Sequence, residues 1–341
     1  MRRSSWVSRE GRRERLRELA ERLGIGAVLL QTPANFAWYT GGADNRVDRS
    51  VPLGVASVLV TADAEYIVTD NIEGVRMRRE ETPGFEVVEH PWYEGPARTL
   101  RELTGGSLLG TDHRLEGARE VSEKIAPLRY ILDADATEDY RRAGAATSAA
   151  MEEAAASVDS GAAEEEVAAA LMSACRRLGL MTPVILVAAD ERIASYRHPI
   201  PRGATIERRA MLVVCAESGG LYVSLTRFVE LEEPDGEIRR RQEACGEILR
   251  RMREEVTRPG RTLADAFADC KTFYAEAGFP EEWRLHHQGG VAGYAAREIV
   301  ASEETVQEIY TGQAFAWNPS ITGAKAEETF ILTGNGPEVI T

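Results

Sequence analysis

Residues 210–228 read AMLVVCAESGGLYVSLTRF, and this stretch decides the fold of the second half of the chain. Its apolar runs predict two neighbouring strands, at 211–216 and 221–229. Other short apolar runs predict strands at 184–188, 313–317 and 326–332. Alanine-rich and amphipathic patterns predict helices at 137–158, 161–179, 237–256 and 263–277. Helices that are segregated from an antiparallel sheet make an α+β domain.

The first half of the chain alternates short helices and strands. Leu16, Leu19 and Leu23 fall on one face of a predicted helix at 12–23, which glycines end. Strands are predicted at 27–30, 55–60, 66–68, 85–88 and 108–109, and a second helix at 72–79. Thr137 is the predicted N-cap of the helix that follows. The sequence therefore predicts a small α/β domain at 1–134 and an α+β domain at 135–341.

The composition is that of a folded globular protein. The 341 residues exceed the ~250–300 at which one core stops growing, so we expect two domains. A net charge of −14 repels phosphate backbones and anionic membranes. No apolar run reaches the ~18–20 residues of a membrane span, and the basic start lacks the apolar core of a signal peptide. We therefore expect a cytoplasmic protein with no nucleic-acid or membrane partner.

The cysteines are widely spaced and form no CxxC pair. This spacing favours buried free thiols in a reducing compartment over a disulfide or zinc framework. The four are Cys175, Cys215, Cys245 and Cys270.

Several motifs resemble those of the creatinase and aminopeptidase P family, whose catalytic half has the pita-bread fold. In the first half, QTPANFAWYTGG at 31–42 resembles the family's first-strand signature. In the second half, the resemblance lies in ATEDYRRAG at 136–144, SGAAEEEVAAAL at 160–171 and VSLTRF at 223–228. It covers nearly the whole chain. It implies a pita-bread domain preceded by a smaller creatinase-type N-terminal domain.

The resemblance implies a hydrolase, but most of the matched metal-binding positions have changed. Family peptidases bind two divalent cations through two aspartates, one histidine and two glutamates. The first aspartate position falls within 213–215, which holds no carboxylate, and the second is Ser224. The histidine position is Val291, and the first glutamate position is Asn318. Only Glu327 is kept, and one carboxylate cannot hold two divalent cations, so we expect no metal and no other cofactor.

Two histidines of the family's substrate pocket are kept. His198 matches the histidine that lines this pocket, and His287 matches the one four residues before the lost ligand. The resemblance to creatinase implies that His198 shuttles protons without a metal. An imidazole can take a proton from water and return it to a leaving nitrogen near neutral pH. We therefore expect His198 to be the general acid/base, His287 a hydrogen-bonding partner and Glu327 an anchor for a cationic substrate group.

Other side chains are candidate substrate contacts. Asn318 supplies an amide, and Ser224, Tyr222 and Glu328 lie at or beside the matched positions. In creatinase, an arginine of the partner subunit holds the substrate carboxylate, and the resemblance makes Arg46 the candidate for that role. This assignment implies a homodimer.

Three functions stay open. The first is a metal-independent, creatinase-like hydrolase that cleaves a C–N bond in a small guanidino, amidino or amide metabolite. The second is an Xaa-Pro peptidase that acts on short peptides through an atypical metal site. The third is a non-catalytic binding protein with the pita-bread fold. Chelators leave the first activity intact, metal analysis identifies the second, and capture of a partner without substrate binding favours the third.

Overall fold

The computed structural model describes residues 9–341. They form two compact units, of which the first ends at Ala136 and the second is Thr137–Thr341. The first eight residues of the predicted N-terminal domain, which begin the basic start, lie outside the described residues. Within 9–341, no helix combines the length and the apolar composition that crossing a membrane requires.

A six-stranded mixed sheet forms the centre of the first unit. Its strands are β1 (Ala27–Leu30), β2 (Ala56–Thr61), β3 (Glu65–Asp70), β4 (Glu86–His90), β5 (Leu109–Thr111) and β6 (Arg119–Glu120). They lie in the order β4-β3-β2-β1-β5-β6, and the strands predicted at 55–60 and 66–68 pair antiparallel as β2 and β3. The helices are α1 (Arg9–Leu23), α2 (Pro33–Thr40), α3 (Gly74–Arg76), α4 (Ala97–Thr104) and α5 (Ser122–Ile125).

Three local predictions differ from the structure. The segment 31–42, matched to a strand signature, contains α2, because Pro33 is compatible with a first helical turn. The helix predicted at 72–79 is one short α-helical turn followed by a π-helical turn, Met77–Glu81. Thr137 is not an N-cap, because α6 (Ala134–Ala156) begins before it. The Asp133 carboxylate accepts a hydrogen bond of 2.9 Å from the Ala136 N–H, which is the capping interaction.

The second unit consists of antiparallel sheets and helices. The longest strands, β7 (Met181–Ala189), β8 (Arg209–Ser218) and β9 (Leu221–Glu230), form one sheet in chain order. A second sheet has five strands in the order β11-β10-β12-β15-β16, and β13 and β14 pair separately. The bounds of these strands are β10 (Gly289–Ala292), β11 (Ile299–Val300), β12 (Ala314–Trp317), β13 (Ser320–Ile321), β14 (Ala324–Lys325), β15 (Glu328–Thr333) and β16 (Gly336–Val339). The remaining helices are α7 (Glu164–Arg177), α8 (Glu191–Ser195), α9 (Gly236–Arg251) and α10 (Leu263–Glu276). This arrangement confirms the predicted α+β class.

The apolar run of β8 is explained by burial on both faces. Successive side chains of a strand point to opposite faces. Leu212 and Val214 pack into the core under α6 and α7, whereas Met211 and Val213 pack against residues of β7 and α8. A separate core forms between α9, α10 and the five-stranded sheet.

The two sheets of the second unit meet beside the surviving acidic position. The Thr329 hydroxyl donates to the Ser224 carbonyl and accepts from the Ser224 N–H, both at 2.9 Å. The Thr226 N–H donates to the Glu327 carbonyl at 3.3 Å. These bonds hold the middle of β9 against the start of β15, and they fix Glu327 in the protein interior.

Candidate active site

Glu327 lies in the interior and is held by two cationic side chains. Its Oε2 accepts from the Lys325 ammonium at 2.9 Å and from the Thr226 hydroxyl at 2.8 Å. Its Oε1 accepts from Arg297 Nη2 at 3.1 Å. The side chains of Glu327 and Lys325 are each 5% exposed. Because two cations face one carboxylate, the cluster carries a net positive charge.

The charge state of Glu327 follows from these contacts. Burial raises the pKa of its carboxyl group, but the charges of Lys325 and Arg297 and the hydrogen bonds from Lys325 and Thr226 outweigh burial. The pKa falls to about 2, so Glu327 is ionised at neutral pH. The sequence predicts that this carboxylate anchors a substrate cation. In the structure, its two oxygens accept from Lys325, Arg297 and Thr226 of the same chain.

The residues at the matched positions do not fit a pair of divalent cations. Val213 and Val291 are buried hydrocarbon side chains, and burial raises the pKa of the Cys215 thiol to about 11, so it is not a thiolate at neutral pH. Hard divalent ions need several converging anionic oxygens. Here the one carboxylate, Glu327, is paired with side-chain cations that would repel such ions.

Three histidines converge beside this cluster. One ring nitrogen from each of His198, His286 and His287 lies within 4.8 Å of the others. The Nε2 atoms of His198 and His286 are 3.0 Å apart, and the His286 ring stacks on that of His287 with centroids 4.5 Å apart. Within 9–341, this trio is the one group of three or more such side chains close enough to share a metal ion.

The contacts of His286 fix the tautomers of the first two rings. Its Nδ1 lies 2.6 Å from the His287 carbonyl oxygen, which can only accept, so Nδ1 carries the hydrogen. In the neutral ring, Nε2 of His286 then has a lone pair, and it accepts the hydrogen on Nε2 of His198. The basic nitrogen of His198 is therefore Nδ1.

All three rings are neutral at neutral pH. Burial, followed by the charge of Lys325, lowers the pKa of His286 to about 3. Burial, followed by the charge of Arg297, lowers the pKa of His287 to about 4. Burial and Lys325 also lower the pKa of His198, although Glu327 opposes them. These influences place the imidazoles and the ion-pair cluster in one electrostatic environment.

Two buried polar groups near Glu327 lack a hydrogen-bond partner among the described residues. They are Oδ1 of Asn318 and Nε of Arg297. Buried polar atoms in native proteins are almost always paired. One acceptor and one donor without a partner among residues 9–341 therefore lie at this site. Ser224, also predicted as a contact, lies here too, because its hydroxyl accepts from Arg297 Nη1 at 3.0 Å.

Three other predicted contacts are engaged with different groups. Glu328 forms an ion pair with Arg253, because neighbours along a strand point to opposite faces and Glu327 takes the inner one. The backbone of Tyr222 helps to hold the fold together, since its carbonyl oxygen accepts a hydrogen bond from the Tyr140 hydroxyl. Arg46, in the first unit, pairs with Asp44 at 2.8 Å.

The predictions from the sequence give no role to Lys325, Arg297 or His286. Arg297 lies in no recognised motif. Lys325 was visible in the segment around Glu327 but received no role, and His286 was visible as the neighbour of His287. A cavity of about 310 Å³ elsewhere in the second unit, bordered by Arg209 among others, includes none of the predicted site residues.

The chain matches two family descriptions. Residues 138–334 match metallopeptidase family M24, and residues 12–136 match the creatinase/prolidase N-terminal domain. No curated protein matches the chain in a sequence comparison.

Solved structures share the fold at low identity. The prolidase from Pyrococcus horikoshii OT3 is 20% identical, with a TM-score of 0.83 and 97% of each chain covered. The Xaa-Pro dipeptidase from Bacillus anthracis is 21% identical, with a TM-score of 0.82 and 98% of each covered. The N-terminal domain of FACT complex subunit SPT16 from chickpea, Cicer arietinum, is 11% identical, with a TM-score of 0.73, 98% of this chain covered and 96% of that one.

These likenesses establish the fold, a creatinase-type N-terminal domain followed by a pita-bread domain. The family match spans more than half of the 341 residues. The chain belongs to metallopeptidase family M24, a family of hydrolases.

Proposed function

We propose that the chain is a hydrolase that cleaves a C–N bond in a small, carboxylate-bearing amide or short peptide, without the family's two-metal centre. The observation that carries this proposal is the pairing of Glu327 with both Lys325 and Arg297. These two cations lie beside the matched ligand positions, and together with Glu327 they form a cluster with a net positive charge. Positive side chains can stabilise a developing oxyanion by preorganised electrostatics, a role that metals fill elsewhere.

The charge of the cluster also bears on the substrate. A guanidino or amidino compound, which the resemblance to creatinase favours, would bring another positive charge beside Lys325 and Arg297. A substrate carboxylate instead gains from the same charges, and the unpartnered Arg297 Nε is a suitable donor for it. The structural likeness to a prolidase and an Xaa-Pro dipeptidase further supports peptides as substrates.

The histidines supply the proton transfer in this proposal. His198 Nδ1 takes a proton from the attacking water and returns it to the leaving nitrogen, so the hydrolysis balances without another reactant. His286 positions that ring by accepting the hydrogen on His198 Nε2. The orphaned Oδ1 of Asn318 accepts from the water or from a substrate N–H.

The direct test is hydrolysis of a panel of dipeptides, N-acyl amino acids and guanidino acids by protein dialysed against EDTA. We expect turnover of an anionic amide in EDTA, and a loss of ~10²–10⁴-fold in kcat for His198→Ala. His113→Ala, which changes a histidine of the first unit, is the matched control. Full activity in His198→Ala would refute the proposal, and a folded protein that binds carboxylates but hydrolyses nothing would favour the binding-protein alternative.

The Xaa-Pro peptidase with an atypical metal site is the second candidate. The trio of histidines supports it, because imidazoles are common ligands of catalytic transition metals. Activity that requires manganese, cobalt or zinc at one ion or more per chain would favour this candidate over the first.

We also propose, from the resemblance to creatinase, that Arg46 acts in the active site of a partner subunit. Arg46→Ala and His198→Ala proteins should each be inactive, and mixed dimers should regain activity because one site then has both residues. If the mixed dimers stay inactive after mass spectrometry has verified that subunits were exchanged, this role is ruled out.

A further inference from the structure

The three histidines have the arrangement of a transition-metal site that is separate from the lost two-metal centre. Their approaching atoms are all imidazole nitrogens, and no carboxylate belongs to the trio. Nitrogen-only sites favour zinc, copper, nickel or cobalt, whereas magnesium, calcium and manganese prefer oxygen. The chemistry of these donors therefore differs from that of the oxygen-rich family site.

The spacing of two of the rings suits one shared ion. Nitrogens bound at about 2.0–2.1 Å to one tetrahedral zinc lie about 3.3 Å apart. The Nε2 atoms of His198 and His286 are 3.0 Å apart, so only a small outward shift admits an ion between them. The ring of His287 stacks on that of His286, and rotation of this side chain can bring its nitrogen to the same ion.

The second contact of His286 also fits metal ligation. Metal-binding histidines donate the other ring N–H to a carbonyl or carboxylate, which fixes the ring and leaves the ligating lone pair outward. Nδ1 of His286 donates to the His287 carbonyl oxygen at 2.6 Å. His286 is 9% exposed, while His198 and His287 are exposed, so the ring at the centre is fixed and solvent can reach the ion.

We propose that His198, His286 and His287 bind a single transition-metal ion such as zinc, and that this ion inhibits the enzyme. The 3.0 Å gap between the two Nε2 atoms holds either the hydrogen that orients His198 or the ion. Occupation by the ion removes the hydrogen bond that positions the proposed base. The inhibitory part of this inference rests on the proposed function, whereas the binding part does not.

Nearby charges set the strength of this site. Lys325 and Arg297 repel a divalent cation, and Glu327 offsets only one of them. Binding is therefore weaker than in closed structural zinc sites and is reversible by chelators.

The binding test uses full-length protein freed of metal by chelator and titrated with cobalt(II), whose visible spectrum reports imidazole ligation, and with zinc chloride by calorimetry. We expect one ion per chain, with affinity lowered by at least about tenfold in His286→Ala and in His198→Ala. Because His198 is exposed, its variant folds even if the buried His286 variant does not. His90→Ala is the matched control and should bind as the unchanged protein does.

Binding that is equal in all variants, or no spectral change at millimolar cobalt, would overturn the site. The activity test then adds zinc to EDTA-treated enzyme after the chelator has been removed. A rate that falls with zinc occupancy and returns with chelator supports inhibition, whereas a rate that rises overturns it. Metal binding in a protein without hydrolase activity would uphold the site while the proposed function fails.

Discussion

A buried carboxylate with several hydrogen bonds lies in each unit, Asp112 in the first and Glu327 in the second, and these two are held by different kinds of partner. In the first unit, Asp112 accepts from the N–H groups of Gln31 and Thr32, from the Thr32 hydroxyl and from the Asn35 amide, at 2.6–3.1 Å. All of these donors are neutral. In the second unit, Glu327 accepts from Lys325, Arg297 and the Thr226 hydroxyl.

The difference distinguishes a carboxylate with neutral partners from one whose cationic partners outnumber it. Asp112 follows β5 and ties it to the start of α2, and its satisfied oxygens leave no donor in excess. Glu327 is surrounded by more positive charge than it can balance, and Arg297 Nε beside it has no partner among residues 9–341. Excess charge and an orphaned donor are features of a site that binds something.

The largest expected effect is the loss of a cation from the second cluster. Lys325→Met removes a charge-assisted hydrogen bond from the buried Glu327, which keeps Arg297 as its cationic partner, and we expect the free energy of unfolding to fall by about 3 kcal/mol in urea denaturation. The double variant Lys325→Met/Glu327→Gln should lose less than the sum of the two single variants. Additive losses would show that the two side chains are not coupled.

Acid should weaken the same cluster. The folded pKa of Glu327 is about 2 against an ordinary 4.5. A lowered pKa stabilises the fold above pH 4.5, and this contribution is lost as pH falls towards 2. The lowered pKa of Glu327 contributes about 3 kcal/mol to the free energy of unfolding above pH 4.5. The stability difference between unchanged protein and Glu327→Gln should therefore shrink between pH 4.5 and 2, and a constant difference would contradict the pairing.

The carboxylate of the first unit should give a smaller effect. Asp112→Asn keeps the shape and one acceptor oxygen but loses the charge, so we expect a loss of about 1–2 kcal/mol. Differential scanning calorimetry measures it. Substrate KM should stay unchanged, since the Asp112 cluster carries no excess positive charge. A raised KM would remove the distinction between the two clusters.

Ligand binding should give the smallest effect. A small carboxylate at several times its Kd should stabilise the protein by about 1 kcal/mol, seen as a rise in Tm. Arg297→Gln should abolish this rise, while Asp112→Asn should keep it. An equal rise in both variants would place the anion site elsewhere.

The sequence predicted the elements that depend on local apolar runs. The strand at 27–30 has the same bounds in the structure, because four consecutive apolar residues in a central strand are buried on both faces. The helix α2 was missed, because its motif was read as a strand signature although Pro33 suits a first helical turn.

The candidate site was predicted only in part, for reasons of geometry. Glu327 and His198 stand in recognisable motifs. Arg297 reaches Glu327 from a segment thirty residues earlier in the chain, and no local sequence pattern encodes a contact between such distant side chains. Strand alternation could have shown that Glu327 and Glu328 point to opposite faces.

The Lys325–Glu327–Arg297 cluster would also govern any attempt to redesign the chain as a two-metal enzyme. Introducing Val213→Asp and Ser224→Asp would place new carboxylates beside Lys325 and Arg297. These two cations would form ion pairs with the new carboxylates and so compete with metal binding. In such a redesign, Lys325 and Arg297 have to be replaced before the carboxylates are introduced. Metal would bind only to the variant that carries all of these substitutions.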